Sequence, residues 1–193
     1  MTPARDVRDV LIRVVELLER RQAPYLIMGG IAVPVWGIPR ATYDIDVTLS
    51  LGPGEVDALL AAAKAEGFEI EAPFEKGFRD LLHGMQKLAM SWWTTESRRV
   101  EVDVFLVTTP YQAAAFARRV RVRLEDREMW ILSPADLILH KLVAGRPKDL
   151  ADIQNILAIQ GFVDAEYVRG WAATLGVEAR LEASLAQAGL RPQ

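Results

Sequence analysis

The chain has 193 residues, 51% of them hydrophobic, no cysteine and a formal charge of −3 at pH 7. That length holds one domain, or one with a small appendage, and the apolar fraction is ample for a folded core. The charge balance gives no bulk case for nucleic-acid binding, and the absence of thiols excludes disulfides and thiolate metal sites. A charged N-terminus with no long apolar run after it predicts neither a signal peptide nor a membrane span, hence a cytoplasmic location.

Val7, Val10, Leu11, Val14, Leu17 and Leu18 recur at helical spacing and predict an amphipathic helix over 6–21. "PYLIM" (24–28) reads as a short strand ending at Gly29-Gly30, and "IAVPVWG" as a short helix limited by Pro34. A strand follows at 44–50, then a helix within "GPGEVDALLAAAKAEGF" that Gly67 closes, then a strand in "FEIEA". Residues 73–85 carry no pattern. "KLAMSWWT" and "RRVEVDVFLV" read as two strands joined by "TESR". A helix at 111–119 precedes a hairpin in "RVRVRLEDREMWIL" that turns near Glu125-Asp126. At Ser133 the strand pattern stops: "SPADLILHKLVAG" opens with an N-cap serine, Pro at the first helical position and Asp136 in the first turn. Three more helices are predicted over 147–160, 164–175 and 178–189. The fold class is α/β (α+β), a mixed-sheet core over 1–132 followed by a helical subdomain over 133–193.

The chemistry concentrates in "IPRATYDIDVTL" (38–49). A strand alternates its side chains, so Asp44 and Asp46 share one face while Ile45 points to the other. In "VEVDVFLV" the valines take one face and leave Glu101, Asp103 and Phe105 on the other. Three carboxylates on neighbouring strands make a hard-oxygen site suited to Mg²⁺, which completes its shell with waters and substrate phosphates. Two such ions would activate an attacking hydroxyl and steady the leaving oxygens of an in-line displacement. Gly29-Gly30, between a strand and a helix, lets backbone N–H groups approach a ligand, although glycine pairs more often just make turns.

"MGGIAVPVWGIPRATYDIDVTL" resembles the signature of the polymerase-β-type nucleotidyltransferase superfamily: a glycine pair, a spacer (here residues 31 to 43), D-x-D and a later strand acid. Together with "SPADLILHKLVAGRPKDLADI" it resembles the AbiEii/AbiGii-type nucleotidyltransferases of bacterial abortive-infection and toxin–antitoxin systems. Residues 25–50 and 99–157 carry the likeness. Where relatives often have a serine, this chain has Gly30. The resemblance implies that Gly29 and Gly30 hold an NTP, that Asp44 and Asp46 bind metal, and that Asp103 binds metal and helps deprotonate the acceptor. The implied reaction is Mg²⁺-dependent transfer of a nucleoside monophosphate to RNA (tRNA especially) or protein, with an antitoxin protein as a possible partner. A transferase acting on an aminoglycoside-like antibiotic and a catalytically silent nucleotide-binding module are the alternatives. An acidic acceptor pocket favours the antibiotic; a basic groove near Arg119–Arg123 favours RNA.

Other residues carry paired readings. Arg40 and Thr42 lie just upstream of the acids, where Arg40 contacts a phosphate, orients a carboxylate or forms a surface ion pair. Lys141, flanked by Leu137, Ile138, Leu139, Leu142 and Val143, either snorkels to water or reaches a bound anion. It matches a lysine of the resembling family, and Asp149 matches an acid there. Asp149 and Asp152 share one helical face, and Arg146 and Lys148 either add phosphate contacts or simply begin a charged helix. His83 and His140 lack metal-ligand spacing, which leaves His140 a packing or interface role. Trp92-Trp93 either stacks a base or divides between core and surface. The run Arg118, Arg119, Arg121, Arg123 either binds RNA phosphates or guards a sheet edge.

Overall fold

The structure, a computed structural model, describes residues 5–52, 54–80, 86–124 and 127–190. In chain order the elements are α1 (Arg5–Arg20), β1 (Tyr25–Met28), α2 (Gly29–Trp36), β2 (Asp44–Leu49), α3 (Glu55–Ala65), β3 (Glu69–Ile70), β4 (Arg79–Asp80), β5 (Gln86–Trp93), β6 (Arg99–Leu106), α4 (Pro110–Ala117), β7 (Val120–Leu124), β8 (Arg127–Ile131), α5 (Pro134–Ala144), α6 (Pro147–Gln160), α7 (Ala165–Leu175) and α8 (Glu178–Gln187). The fold is a mixed α/β one, as the patterning predicts. Differences are local. The strand expected in "FEIEA" shrinks to β3, because Ala72–Phe74 turns into a 3-10 helix around Pro73. The turn at Glu125-Asp126 and His83 lie outside the described residues, but β7 and β8 pair antiparallel on either side of that turn.

The strands form one sheet in the order β3-β5-β6-β2-β1-β8-β7, with β4 pairing β5. β1 and β2 are antiparallel, whereas β2 runs parallel to β6 with Asp44 opposite Glu101 and Asp46 opposite Asp103. Ile45, Val47, Leu49, Val100, Val102 and Val104 are buried on the face covered by α1 and α3, which removes them from water and fixes which face the acids take. α2 begins at Gly29, and Pro34 sits inside it. The helix ends two residues after the proline, at Trp36, and the N–H of Gly37 beyond it bonds the Val33 carbonyl. Ser133 caps α5 by accepting from the Asp136 N–H, and Gly145 closes that helix in the left-handed region at φ +62°. Among the described residues no helix is long and apolar enough to cross a membrane.

Candidate active site

The strand register assembles the acids. Because β2 and β6 are parallel and in step, Asp46 and Asp103 are direct neighbours, and Asp44 stands beside Glu101, which is 61% exposed on its side chain. Burial, then the charges of Asp44 and Asp103, push the Asp46 carboxyl up to about 6, while Lys141 and Lys87 oppose that rise. The Thr42 hydroxyl donates to Asp44 Oδ1 at 2.6 Å and is itself buried.

The two glycines bring backbone against this cluster. Gly29 has φ +62°, and a Cβ there would lie 1.8 Å from Asp46 Oδ2. Any side chain would displace the carboxylate, so glycine is required on both counts. A Cβ at Gly30 would lie 2.2 Å from Thr42 Oγ1, so the Thr42 hydroxyl fills the space that a serine at position 30 would need.

A second charged cluster acts electrostatically on the first, Lys141 on Asp46 and Asp44 on Arg40. Lys141 is 5% exposed and donates to Asp149 Oδ1 at 3.0 Å, with Asp152 Oδ2 at 2.7 Å. Arg40 grips both oxygens of Asp152, Nε to Oδ1 at 2.7 Å and Nη2 to Oδ2 at 2.8 Å. Arg146 bonds Asp149 through Nε at 2.5 Å. Burial alone would raise both aspartates, but the hydrogen bonds from Arg146 and Lys141 to Asp149, and from Arg40 and Lys141 to Asp152, hold both below the usual carboxylate range. Arg40 therefore orients a carboxylate, and Lys141 meets two buried aspartates of the next helix rather than snorkelling. Lys148 is exposed at the start of α6.

Asp44, Asp46, Asp103, Gly29, Gly30 and Thr42 come together at one end of β1, β2 and β6. Arg40 and Lys141 reach them electrostatically, and Asp149 is held by Lys141. The residue that pattern reading missed is Lys87, on β5, whose Nζ lies 2.6 Å from Asp103 Oδ2. Hairpin register was the available signal: Trp93 opposite Arg99 makes Lys87 a diagonal neighbour of Asp103. Among the described residues no three carboxylate or imidazole side chains are gathered at metal-binding distance. The donor chemistry nonetheless fits a hard divalent cation, since crowded carboxylates on adjacent strands repel until a cation joins them.

The remaining candidates sort by their contacts. Trp92 packs edge-on against Phe68 at 5.0 Å while Trp93 is 49% exposed, so the pair divides between core and surface. His140 lies against Tyr111 at 5.5 Å, in a packing role. β7 is the sheet edge. Arg118 pairs with Asp164 and lies over the Tyr167 ring at 4.0 Å. Arg119 stacks over Phe116 and Trp130, and Arg121 pairs with Glu128 at 2.9 Å.

The sequence profile of a family described as "Nucleotidyltransferase of unknown function (DUF6036)" matches residues 7–181. No curated protein matches the chain at a significant level. Several solved structures share the fold. A crystal structure of an antigenic nucleotidyltransferase-like protein from Paracoccidioides brasiliensis is 17% identical, covers 97% of this chain and 93% of its own, and superposes with a TM-score of 0.55. ANT(2")-Ia, solved in complex with adenylyl-2"-tobramycin, is 16% identical over 92% of this chain and 99% of its own, with a TM-score of 0.55. The lincosamide antibiotic adenylyltransferase LnuA, bound to lincomycin, is 16% identical over 83% of this chain and 100% of its own, at 0.52.

Proposed function

The chain belongs to the DUF6036 family of nucleotidyltransferases, and from that premise we propose that it transfers a nucleoside monophosphate from an NTP to an acceptor hydroxyl in a Mg²⁺-dependent reaction. One observation carries this reading: the parallel register that sets Asp46 beside Asp103, with the Gly29 backbone pressed against Asp46. Asp44, Asp46 and Asp103 hold the metal, which when bound neutralises phosphate charge and acidifies the attacking hydroxyl. The backbone at Gly29-Gly30 receives the triphosphate, and Thr42 fixes Asp44. The acceptor oxygen bonds the α-phosphorus as the bond to pyrophosphate breaks, and the hydroxyl proton passes to Asp103. Lys141, Asp149, Asp152 and Arg40 brace the cradle. Residues 1–132 act as the catalytic core and 133–193 as the helical subdomain, which supplies this brace apart from Arg40.

Within the superfamily the chain is AbiEii/AbiGii-like, a toxin of a bacterial toxin–antitoxin or phage-defence pair that modifies RNA or a protein hydroxyl. Supporting this are the D-x-D strand and the Lys141/Asp149 pair of "HKLVAGRPKDLADI". A second reading has a cationic antibiotic as acceptor: Glu101, exposed beside Asp44 and 3.6 Å from Arg99, would exchange that partner for the ligand's ammonium. Two proteins of the same fold carry antibiotic substrates in their descriptions. The test is transfer of label from each of the four NTPs to total RNA, total protein and a set of aminoglycosides. Asp46→Asn is expected to cut incorporation by a factor of about a hundred or more, since each ~1.4 kcal/mol of lost transition-state stabilisation is tenfold in rate. Undiminished incorporation by a folded Asp46→Asn variant would sink the mechanism.

A further inference from the structure

We propose that Lys87 is a built-in counter-ion that holds Asp103 until a divalent cation displaces it, and so sets the threshold at which the site loads metal. This rests on reading Asp44, Asp46 and Asp103 as the metal cradle. Two lysines act electrostatically on Asp46, and they are held very differently. Lys141 is buried and fixed by Asp149 and Asp152, each of which an arginine also grips. Its departure would take one of two cationic partners from each of two buried carboxylates. The Lys87 side chain is 22% exposed, and its ammonium meets Asp103 Oδ2 at 2.6 Å.

Its placement follows from the β5/β6 register. Lys87 stands opposite Phe105 and Asp103 opposite Ala89, so the lysine reaches its partner diagonally along the sheet face, over the small Ala89. The Phe105 ring centroid lies 6.0 Å from Nζ, the outer limit of a cation–π contact, and adds little grip. A lysine suits a displaceable plug. Its ammonium is a compact point charge on a flexible four-carbon stem, whereas arginine would hold the carboxylate with a planar fork. The ammonium and a metal ion compete for the same Asp103 oxygen, so metal loading is an exchange of one cation for another. The freed ammonium stays tethered to β5, beside the phosphates that arrive with the metal.

Mn²⁺ titrated calorimetrically without nucleotide, alongside melting curves with and without Mn²⁺, tests the exchange. Lys87→Met should bind Mn²⁺ about two- to fivefold more tightly than wild type, the scale of a partly exposed ion pair. Its melting temperature should fall without metal and recover when Mn²⁺ saturates. Lys87→Arg should bind Mn²⁺ more weakly than wild type, which gives a second variant with the opposite sign. Lys64→Met removes the same charge from the exposed end of α3 and should leave the affinity unchanged. Lys87→Met binding Mn²⁺ no more tightly than wild type, or melting lower by the same amount with and without metal, would make Lys87 a merely structural tie. If Asp46→Asn still loses Mn²⁺ in that case, only the counter-ion proposal fails. A wild type that binds no Mn²⁺ overturns both this proposal and the metal cradle.

Discussion

Burial and the neighbouring charges of Asp44 and Asp103 push the Asp46 carboxyl up to about 6, from 3.8 in an unfolded chain. The folded state therefore binds the extra proton between those values, and stability falls as pH rises through that window. Above pH 6 the full penalty is present, of order 3 kcal/mol. His140 works in the opposite direction. Burial pulls it down to about 4, so on acidification the unfolded chain takes up a proton first, and stability is lost as pH falls from 6.5 to 4. In the metal-free protein the two trends offset each other across the overlapping range. Asp46→Asn, which keeps the shape and removes the charge, should be more stable than wild type by about 2–3 kcal/mol at pH 7.5 and by only about 1 kcal/mol at pH 4.5. The variant should also expose the acid-side loss due to His140. Urea unfolding at several pH values in the presence of a chelator checks both, and a profile parallel to wild type would show that Asp46 carries no such strain. On the function proposed above, the same repulsion that destabilises the empty site would favour its taking up a cation.

At the level of elements, α5 and α6 are tied by Lys141, whose ammonium bridges Asp149 and Asp152. A lysine flanked by leucines reads from sequence as snorkelling or anion-seeking, and the anions turn out to be the chain's own. Removal of this lysine looks stabilising when it is taken as an unpartnered semi-buried charge. With two buried carboxylates left behind, Lys141→Met should instead destabilise by about 3 kcal/mol, read as a lowered urea midpoint at unchanged slope. A gain in stability would mean that Arg40 and Arg146 alone satisfy both acids. The loop before β2 offers a similar test. Gly30→Ser should be poorly tolerated because Thr42 occupies the space, whereas Gly30→Ser combined with Thr42→Gly, which removes both the hydroxyl and the Cβ in the way, should recover folding, measured by melting temperature. These contacts explain what the sequence made legible. Elements with strong local signals, such as α1, the capped α5 and the alternating β6, were readable almost to their ends. β3 and β4, two residues each, have too few positions to show a period. The parallel β2/β6 pairing joins segments some fifty residues apart, so periodicity could put each acid on a face but could not make Asp46 and Asp103 neighbours. Lys87 lay outside every motif, and only strand register brings it to Asp103.

Across the whole molecule, charge is distributed by sign. The acids line the β2/β6 end of the sheet, while Arg121 and Arg123 stand on β7, reached from β2 by crossing β1 and β8. At roughly 4.8 Å per strand step, β7 lies about 14 Å from β2. An RNA acceptor reaching the acids would have to be held by that edge, since the net charge of −3 offers no general attraction. The edge is already in use: Arg119 stacks over Trp130, and Arg121 pairs with Glu128, which is 55% exposed on its side chain. Phosphates must compete with that internal acid, so any affinity for RNA should be modest and steeply salt-dependent. Arg121→Gln combined with Arg123→Gln should weaken tRNA binding uniformly across sequences and flatten the slope of log K against log salt by about 2, one for each phosphate that is no longer neutralised. NTP binding should be unchanged, because Gly29-Gly30, the triphosphate site proposed above, directly follow β1, with β8 between that strand and this edge. Filter binding with tRNA across a salt series, with Mg²⁺ and a non-hydrolysable NTP present, measures both quantities. An unaltered slope in the double variant would release the β7 edge from any part in substrate binding. Failure of the wild type to bind tRNA at low salt would turn the acceptor toward a protein hydroxyl or a cationic antibiotic, which would have to displace Arg99 from the exposed Glu101 beside Asp44.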